Sequence, residues 1–432
     1  MPAGLLVLFI VLTLAVLGGI NEQVFRWARK AFGLGPRGRR GLRLFLGFAL
    51  LGMVLGRVAG RFWPGGLTAF VITVASVAEL AIVISGLLLL VADAIGLLLR
   101  LTARLRGRRV TTELLPAMPT LAPGVAAAAP LAVAAAAPAA PVVAKLPRRA
   151  FLTQAVAGSA FLVGSSSSLY GALRGRYDYR LEEVSFKLPG LARGFDGFSI
   201  AQLSDVHIGV FVGDAELRVA EELLRQARPD LIVLTGDLLD NDPRLADKLG
   251  RFVRRLTPLA RYGVIGISGN HDYFAGVEAV AGAVTGAGAR MLRNDAMIVG
   301  DARAGFSLLG VEDVWARREG GGPDLERAVR ALPLLGGRVA PALDLPRVLL
   351  CHNPSFFAES AGQVALQLSG HTHGGQVNLG IHPADYLLAG GWVAGRYDQR
   401  GSALYVNRGF GTVGPPARIG SPPEVTRIVL TA

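Results

Sequence analysis

The sequence predicts an α/β domain carried behind a set of N-terminal transmembrane helices, and three observations predict it. Long apolar runs with few charges fill the first hundred residues. Short apolar strands alternate with helical stretches beyond residue 180. The charge divides sharply between the two regions. The chain has 432 residues, is 51% hydrophobic and only 18% charged, with a mean hydropathy of +0.44; this is too apolar for a disordered or purely soluble chain. The net charge of +13 reads at first as that of a nucleic-acid binder. Residues 1–180, however, hold 20 Lys+Arg against 5 Asp+Glu, a net of +15, whereas residues 181–432 hold 25 against 27, a net of −2. A domain without positive excess has little with which to follow a phosphate backbone, so no nucleic-acid partner is expected. The single cysteine, Cys351, excludes an internal disulfide framework and a cysteine-cluster zinc site.

The N-terminal elements come first. Residues 4–20 carry no charge and are about long enough to cross a hydrocarbon layer of ~30 Å. Leu44–Gly60 comes next, broken only by Arg57, and then Leu67–Leu99, which holds Glu79 and Asp93. At ~1.5 Å per residue the last run exceeds one bilayer and is expected to tilt or project beyond it. Arg26, Arg29, Lys30, Arg37, Arg39, Arg40 and Arg43 lie between the first two runs, and Arg100, Arg104, Arg106, Arg108 and Arg109 come after the third. By the positive-inside rule both groups face the cytoplasm. Residues 1–110 thus read as a membrane domain of about three spans. Residues 111–147 read as an Ala/Pro-rich linker, because repeated prolines prevent a continuous helix. Residues 148–174 begin Arg148-Arg149-Ala150-Phe151-Leu152 and read either as a fourth span or as an internal twin-arginine-like signal. Either reading places the α/β domain on the outer face of a bacterial cytoplasmic membrane, with the lipid bilayer as a partner.

From residue 180 the pattern changes. Phe198–Ser204, Asp230–Thr235, Gly263–Ser268, Phe306–Val311, Arg347–Cys351 and Ala365–Ser369 read as strands, with Ala215–Ala227 and Arg244–Leu256 as amphipathic helices. In such folds ligands gather at the carboxyl ends of strands. Five of the six histidines fall there, in the segments Ser204-Asp205-Val206-His207, Gly269-Asn270-His271-Asp272, Cys351-His352-Asn353-Pro354 and Gly370-His371-Thr372-His373. Gly236-Asp237-Leu238-Leu239-Asp240 supplies further carboxylates. Imidazole, carboxylate and amide oxygen without thiolate suit a divalent transition metal ion such as Mn, Fe or Zn. The sixth histidine, His382, reads as a loop residue, and Cys351, one residue from His352 in a strand, points away from the site.

The order of these motifs resembles the calcineurin-like binuclear metallophosphoesterases, whose pattern is Asp-x-His, Gly-Asp-x-x-Asp, Gly-Asn-His-Asp, a solitary His and Gly-His-x-His. Gly374-Gly375-Gln376, Asn407-Arg408-Gly409-Phe410-Gly411 and Pro422-Pro423-Glu424-Val425 add a likeness to the bacterial membrane-associated phosphodiesterase branch. The resemblance covers residues 180–432 and implies a sandwich of two mixed β-sheets flanked by helices. It puts Asp205, His207 and His373 on one metal, Asn270, His352 and His371 on the other, and Asp237 between them. It makes His271 the catalytic residue that stabilises the transition state or protonates the leaving oxygen. Asp272 either orients His271 or caps the following turn, and Asp240 reads as structural. Arg408 is a candidate substrate-binding residue, able to clamp a phosphate, against the commoner fate of a salt bridge.

The implied function is metal-dependent hydrolysis of phosphodiester, pyrophosphate or phosphomonoester bonds by a dimetal-activated hydroxide, with a phosphate ester of the lipid or envelope as substrate. The alternative is a non-catalytic membrane sensor that binds a phosphate ligand. That alternative calls for a missing ligand or a missing His271, and all are present.

Overall fold

The computed structural model describes residues 3–63, 65–107, 147–301, 304–332 and 345–432. Most of the predicted linker, residues 111–146, lies outside them. Four long helices come first: α1 (Ala3–Phe32), α2 (Pro36–Phe62), α3 (Gly66–Gly107) and α4 (Arg148–Leu173). Among the described residues, two of these helices are long and apolar enough to cross a membrane, over residues 36–60 and 66–104. Their side chains define the packing. Asn21 and Trp27 of α1 reach Glu79 and Asp93 of α3, so these two helices run parallel. Ser168 of α4 reaches the Val77 carbonyl, while Ala160 shares a cluster with Leu89, so α4 runs antiparallel to α3. Gly164 makes that crossing possible, since a Cβ there would collide with the Ala81 carbonyl and the Ser85 side chain.

The bundle ends on the α/β domain. Leu80 and Ile84 of α3 and Ala172 of α4 share an apolar cluster with Ala417 and Ile419, and Val377 packs against it. The amino-terminal half of α3, whose sequence exceeds one bilayer, therefore lies along the domain. The basic residues of α1 and α2 between Arg26 and Arg43, with Arg100, Arg104, Arg148 and Arg149, collect towards the opposite end of the bundle.

The domain is a sandwich of two six-stranded mixed sheets. Its strands are β1 (Arg180–Lys187), β2 (Phe198–Leu203), β3 (Leu231–Thr235), β4 (Val264–Ile267), β5 (Arg290–Met291), β6 (Asp295–Gly300), β7 (Gly305–Gly310), β8 (Arg347–Leu350), β9 (Leu366–Ser369), β10 (Gly395–Gln399), β11 (Ser402–Val406) and β12 (Glu424–Thr431). The helices are α5 (Asp214–Ala227), α6 (Ala246–Leu256), α7 (Asn270–Phe274), α8 (Val277–Thr285), α9 (Leu325–Arg330), α10 (Phe357–Ser360) and α11 (Ala384–Leu387). One sheet has the order β1-β12-β2-β3-β4-β5 and the other β10-β11-β9-β8-β7-β6. β2, β3 and β4 run parallel, as do β7, β8, β9 and β11.

Period-two alternation accounts for the layers. Ile200, Leu231 and Val233 face the second sheet and meet Leu308, Val348, Leu350, Leu366 and Leu368 between the sheets. Their neighbours Ala201, Leu203, Ile232 and Leu234 face outward and are covered by Leu217 and Leu224 of α5 and Phe252 and Val253 of α6. The carboxyl ends of β2, β3, β4, β8 and β9 converge on one edge of the sandwich, and that edge carries the polar residues.

Candidate metal centre

Each candidate ligand comes directly after a strand. Asp205 and His207 leave β2, Asp237 leaves β3, Asn270 and His271 open α7 after β4, His352 succeeds β8, and His371 and His373 succeed β9. The chain must turn sharply to project these side chains over the sheet edge. Asp205, His207, Asp237, His371 and His373 all adopt left-handed backbone, with φ between 49° and 71°. Non-glycine residues rarely do this without an overriding tertiary reason. Gly236, with φ of 90°, lets two of these turns touch: a Cβ there would lie 2.7 Å from Nδ1 of His352 and 2.6 Å from the Gly269 nitrogen.

The side chains meet in three overlapping groups that can hold a cation: Asp205 with His207 and His373, His207 with Asp237 and His271, and Asp237 with His352 and His371. Nε2 of His207 lies 3.1 Å from Nε2 of His373 and 3.6 Å from Oδ2 of Asp237. Nε2 of His373 lies 3.4 Å from Asp205, and Nε2 of His352 lies 3.3 Å from Oδ2 of Asp237. Asp237 thus belongs to two of the groups, in the position of a bridge between them. The donor set fits divalent cations on a separate ground. Nε2 of His352 and Oδ1 of Asn270 are buried without a hydrogen-bond partner, and such atoms are costly unless something else satisfies them. His352 is oriented for that task by the Thr235 carbonyl, 2.8 Å from its Nδ1.

The electrostatics divide the histidines. Burial opposes charge on His352, but the carboxylates around it, Asp237 foremost, outweigh burial and push it well above its ordinary range. Burial holds His207 and His371 down at about 4, so both are neutral imidazoles with a lone pair to give. Burial alone would push the Asp237 carboxyl up, but the surrounding histidines, His352 foremost, hold it well below the usual carboxylate range. His271 is raised as well. Burial works against its charge, yet Asp240 and Asp237 outweigh it and push the imidazole up to about 9. Its Nδ1 lies 2.6 Å from the Asp240 carbonyl and 3.4 Å from the Asp240 carboxylate, while its backbone N–H donates to Asp237 at 2.8 Å.

The structure redistributes several other residues. Asp272 does not orient His271. Its carboxylate accepts the N–H groups of Leu238, Leu239 and Gly269 at 2.8–3.1 Å, fastening the turn after β3 to the turn after β4. Asp240, read from sequence as structural, is the residue beside His271. Arg408 lies near the site but is engaged by two carboxylates, Glu182 and Glu424, rather than presented to an open phosphate pocket. Both acids meet the same nitrogen, Nη2, so the structure gives Arg408 the ion pair that is the alternative to a phosphate clamp. His382 sits in an exposed loop, 3.8 Å from Asp385. Cys351 is buried among apolar side chains on the outer face of the second sheet. Of the tail motifs, Phe410 and Gly411 donate to the carbonyls of Ser204 and Asp205, and Gln376 binds the Val413 and Pro415 carbonyls. Sequence reasoning missed Arg418, which is wholly buried behind His373 and donates to five backbone carbonyls around it. Nothing in its local sequence marks it, since its partners are brought together only by the tertiary fold.

A family model described as calcineurin-like phosphoesterase matches residues 198–375. An uncharacterized metallophosphoesterase of Bacillus subtilis, YkuE, is 31% identical over 298 residues, covering 66% of this chain and 98% of its own length. An uncharacterized metallophosphoesterase of Aquifex aeolicus is 27% identical, covering 59% and 92%. A transmembrane protein with metallophosphoesterase domain from Danio rerio is 30% identical, covering 63% of this chain and 62% of its own. The likeness therefore extends beyond bacteria.

Proposed function

Because this chain belongs to the calcineurin-like metallophosphoesterases and is a metal-dependent phosphoesterase, we propose that it is a membrane-anchored hydrolase of phosphodiester, pyrophosphate or phosphomonoester bonds, acting on lipid or envelope phosphates at the outer face of the membrane. The observation that carries this reading is the convergence of Asp205, His207, Asp237, Asn270, His352, His371 and His373 at one sheet edge, with ligand atoms left unpartnered and turned inward. Asp205, His207 and His373 would hold one divalent cation, Asn270, His352 and His371 a second, and Asp237 both. When bound, such a pair supplies charge neutralisation for the phosphoryl oxygens and lowers the pKa of the attacking water.

The chain's own residues do the rest. His271, beside Asp237 and held at Nδ1 by Asp240, is placed to donate a proton to the leaving oxygen. Asp240 fixes its Nδ1, leaving Nε2 as the nitrogen that delivers the proton. Asp272 keeps the two turns that carry Asp237 and His271 in register.

The bundle supports the anchoring and the orientation. α3 ends and α4 begins at the same end of the bundle. The basic residues collect at that end, away from the α/β domain, as the positive-inside rule requires of a domain on the outer face. The full-length chain purified in detergent should contain about two transition metals and hydrolyse bis-p-nitrophenyl phosphate with added Mn²⁺. Asp237→Asn and His271→Ala should each abolish that hydrolysis, and retained activity in both variants would overturn the reading. A reporter fused after Ala432 should be active only when it works outside the cytoplasm.

A further inference from the structure

Beyond the ligand-bearing turn His373–Gly375, the chain makes an excursion that the chemistry above does not use. Residues 379–388 expose five large apolar side chains: Tyr386 is 88% exposed, Leu387 81%, Ile381 69%, and Leu379 and Leu388 are also exposed. Asp385 is the one formally charged residue between Val377 and Gly395. A contiguous patch of this kind on one short segment is unusual in a domain surrounded only by water and marks an interaction surface.

The position of the segment says what covers it. Val377, two residues beyond the metal turn, packs against Leu80 and Ile84 of α3 and Ala172 of α4, and the Asn378 N–H donates to the Ile419 carbonyl at 2.8 Å. The excursion therefore starts on the flank of the helical bundle. Farther along α3, Leu87 and Val91 face outward, as on a helix in lipid. On another side of the centre, a cleft beside Asp240 is walled by Gly60, Ala69 and Ile72 of the same helices. Membrane helices thus adjoin the metal centre on two sides. The excursion ends back at the centre, where Thr372 donates to the Val393 carbonyl at 2.6 Å.

We propose that residues 379–388 dock into the lipid bilayer, with Ile381, Tyr386 and Leu387 in the interfacial layer. The composition matches such a role: aromatic and aliphatic side chains provide buried area, and a Tyr and a His provide polar tips at headgroup depth. Docking holds the turn His373–Gly375 against the membrane surface and so deepens the function proposed above, on whose membrane anchoring it rests. The substrates favoured are phosphates carried on bilayer lipids, presented from the membrane plane rather than from solution.

The test uses the full-length chain in phosphatidylcholine–phosphatidylglycerol vesicles. Cys351 is buried, so a thiol-reactive environment-sensitive fluorophore goes to an introduced cysteine. Labels at Leu387→Cys and at Ile381→Cys should lose fluorescence to nitroxide-bearing lipids as strongly as a label at Leu97→Cys on α3. A label at Arg261→Cys, at the amino end of β4 and so at the opposite edge of the sheet, should not. Quenching at both loop positions no greater than at Arg261→Cys overturns the docking, and an unquenched Leu97→Cys overturns the anchoring and the docking with it. Soluble-diester hydrolysis by the labelled variants is read in parallel, so a failed docking is distinguished from a failed phosphoesterase.

Discussion

The guanidinium of Arg418 meets the imidazole of His373 with Nη2 3.0 Å from Nδ1, where both residues are buried. The backbone N–H of Arg418 donates to the Gly171 carbonyl in the last turn of α4, at 3.1 Å. One residue therefore joins a long N-terminal helix to a candidate metal ligand. Burial first, and the Arg418 charge second, hold His373 well below its ordinary range, which favours the neutral imidazole that a metal ligand must be. Arg418→Ala should weaken metal binding by about 10–100-fold, the usual effect of losing a group that orients a ligand. Arg418→Lys should recover only part of this, because an ammonium cannot reproduce a planar fork of donors. Metal content after dialysis against graded chelator measures both.

The Asp240–His271 pair gives a prediction in pH. His271 sits at about 9 in the fold against an ordinary 6.5; burial opposes the shift, but Asp240 and Asp237 outweigh it. A histidine whose folded value is raised contributes stability that is complete below the unfolded value and disappears as pH rises through the folded one. In chelator-treated protein, Asp240→Asn should therefore cost most stability near pH 6 and progressively less towards pH 9 and above. Thermal unfolding in detergent at graded pH reads this directly. A penalty that grows with pH would contradict the pairing.

Asp272 makes three hydrogen bonds to backbone N–H groups and none to His271. Asp272→Ala leaves those buried donors unsatisfied and should destabilise the domain by about 2–4 kcal/mol, as loss of a buried charged acceptor does. If His271 is the proton donor proposed above, the alkaline limb of the pH–rate profile should stay in place for whatever fraction remains folded. A variant that moved that limb without lowering the melting temperature would restore the orienting role.

Much of this was legible in the sequence, and the division has physical causes. Strands buried on both faces, such as Ile200–Leu203 and Ile232–Leu234, are continuous apolar runs, and the break at Asp205 or Asp237 shows where each reaches the site. β10, with its polar alternating pattern, and the two-residue β5 carry no such signature and are defined only by their neighbours. The candidate ligands were readable because metal chemistry restricts them to a few residue types. Their supports were not: Arg418 lies 45 residues from His373 and Asp240 lies 31 from His271, with nothing local to pair them. Arg408 shows the converse, a conspicuous residue in a conspicuous motif whose partners, Glu182 and Glu424, are set by the pairing of β1 with β12.

That pairing supplies the last prediction. Glu424 is almost completely buried, and burial pushes its carboxyl up despite the Arg408 charge beside it. It also accepts from the Tyr405 hydroxyl at 3.0 Å and the Arg408 N–H at 3.1 Å, so it is committed to this position. Removing Arg408 strands a buried carboxylate, a loss of about 3–5 kcal/mol for such pairs. Arg408→Ala should therefore lower the melting temperature markedly. Adding Glu424→Gln to Arg408→Ala should return much of that stability, because the residue left behind is then neutral. A phosphate clamp behaves otherwise: Arg408→Ala would raise KM for the diester at unchanged stability, and Glu424→Gln would rescue nothing. Melting curves and KM for the two single variants and the double variant separate these outcomes. Restored stability in the double variant with a KM close to the parent's assigns Arg408 to the scaffold beneath the metal centre.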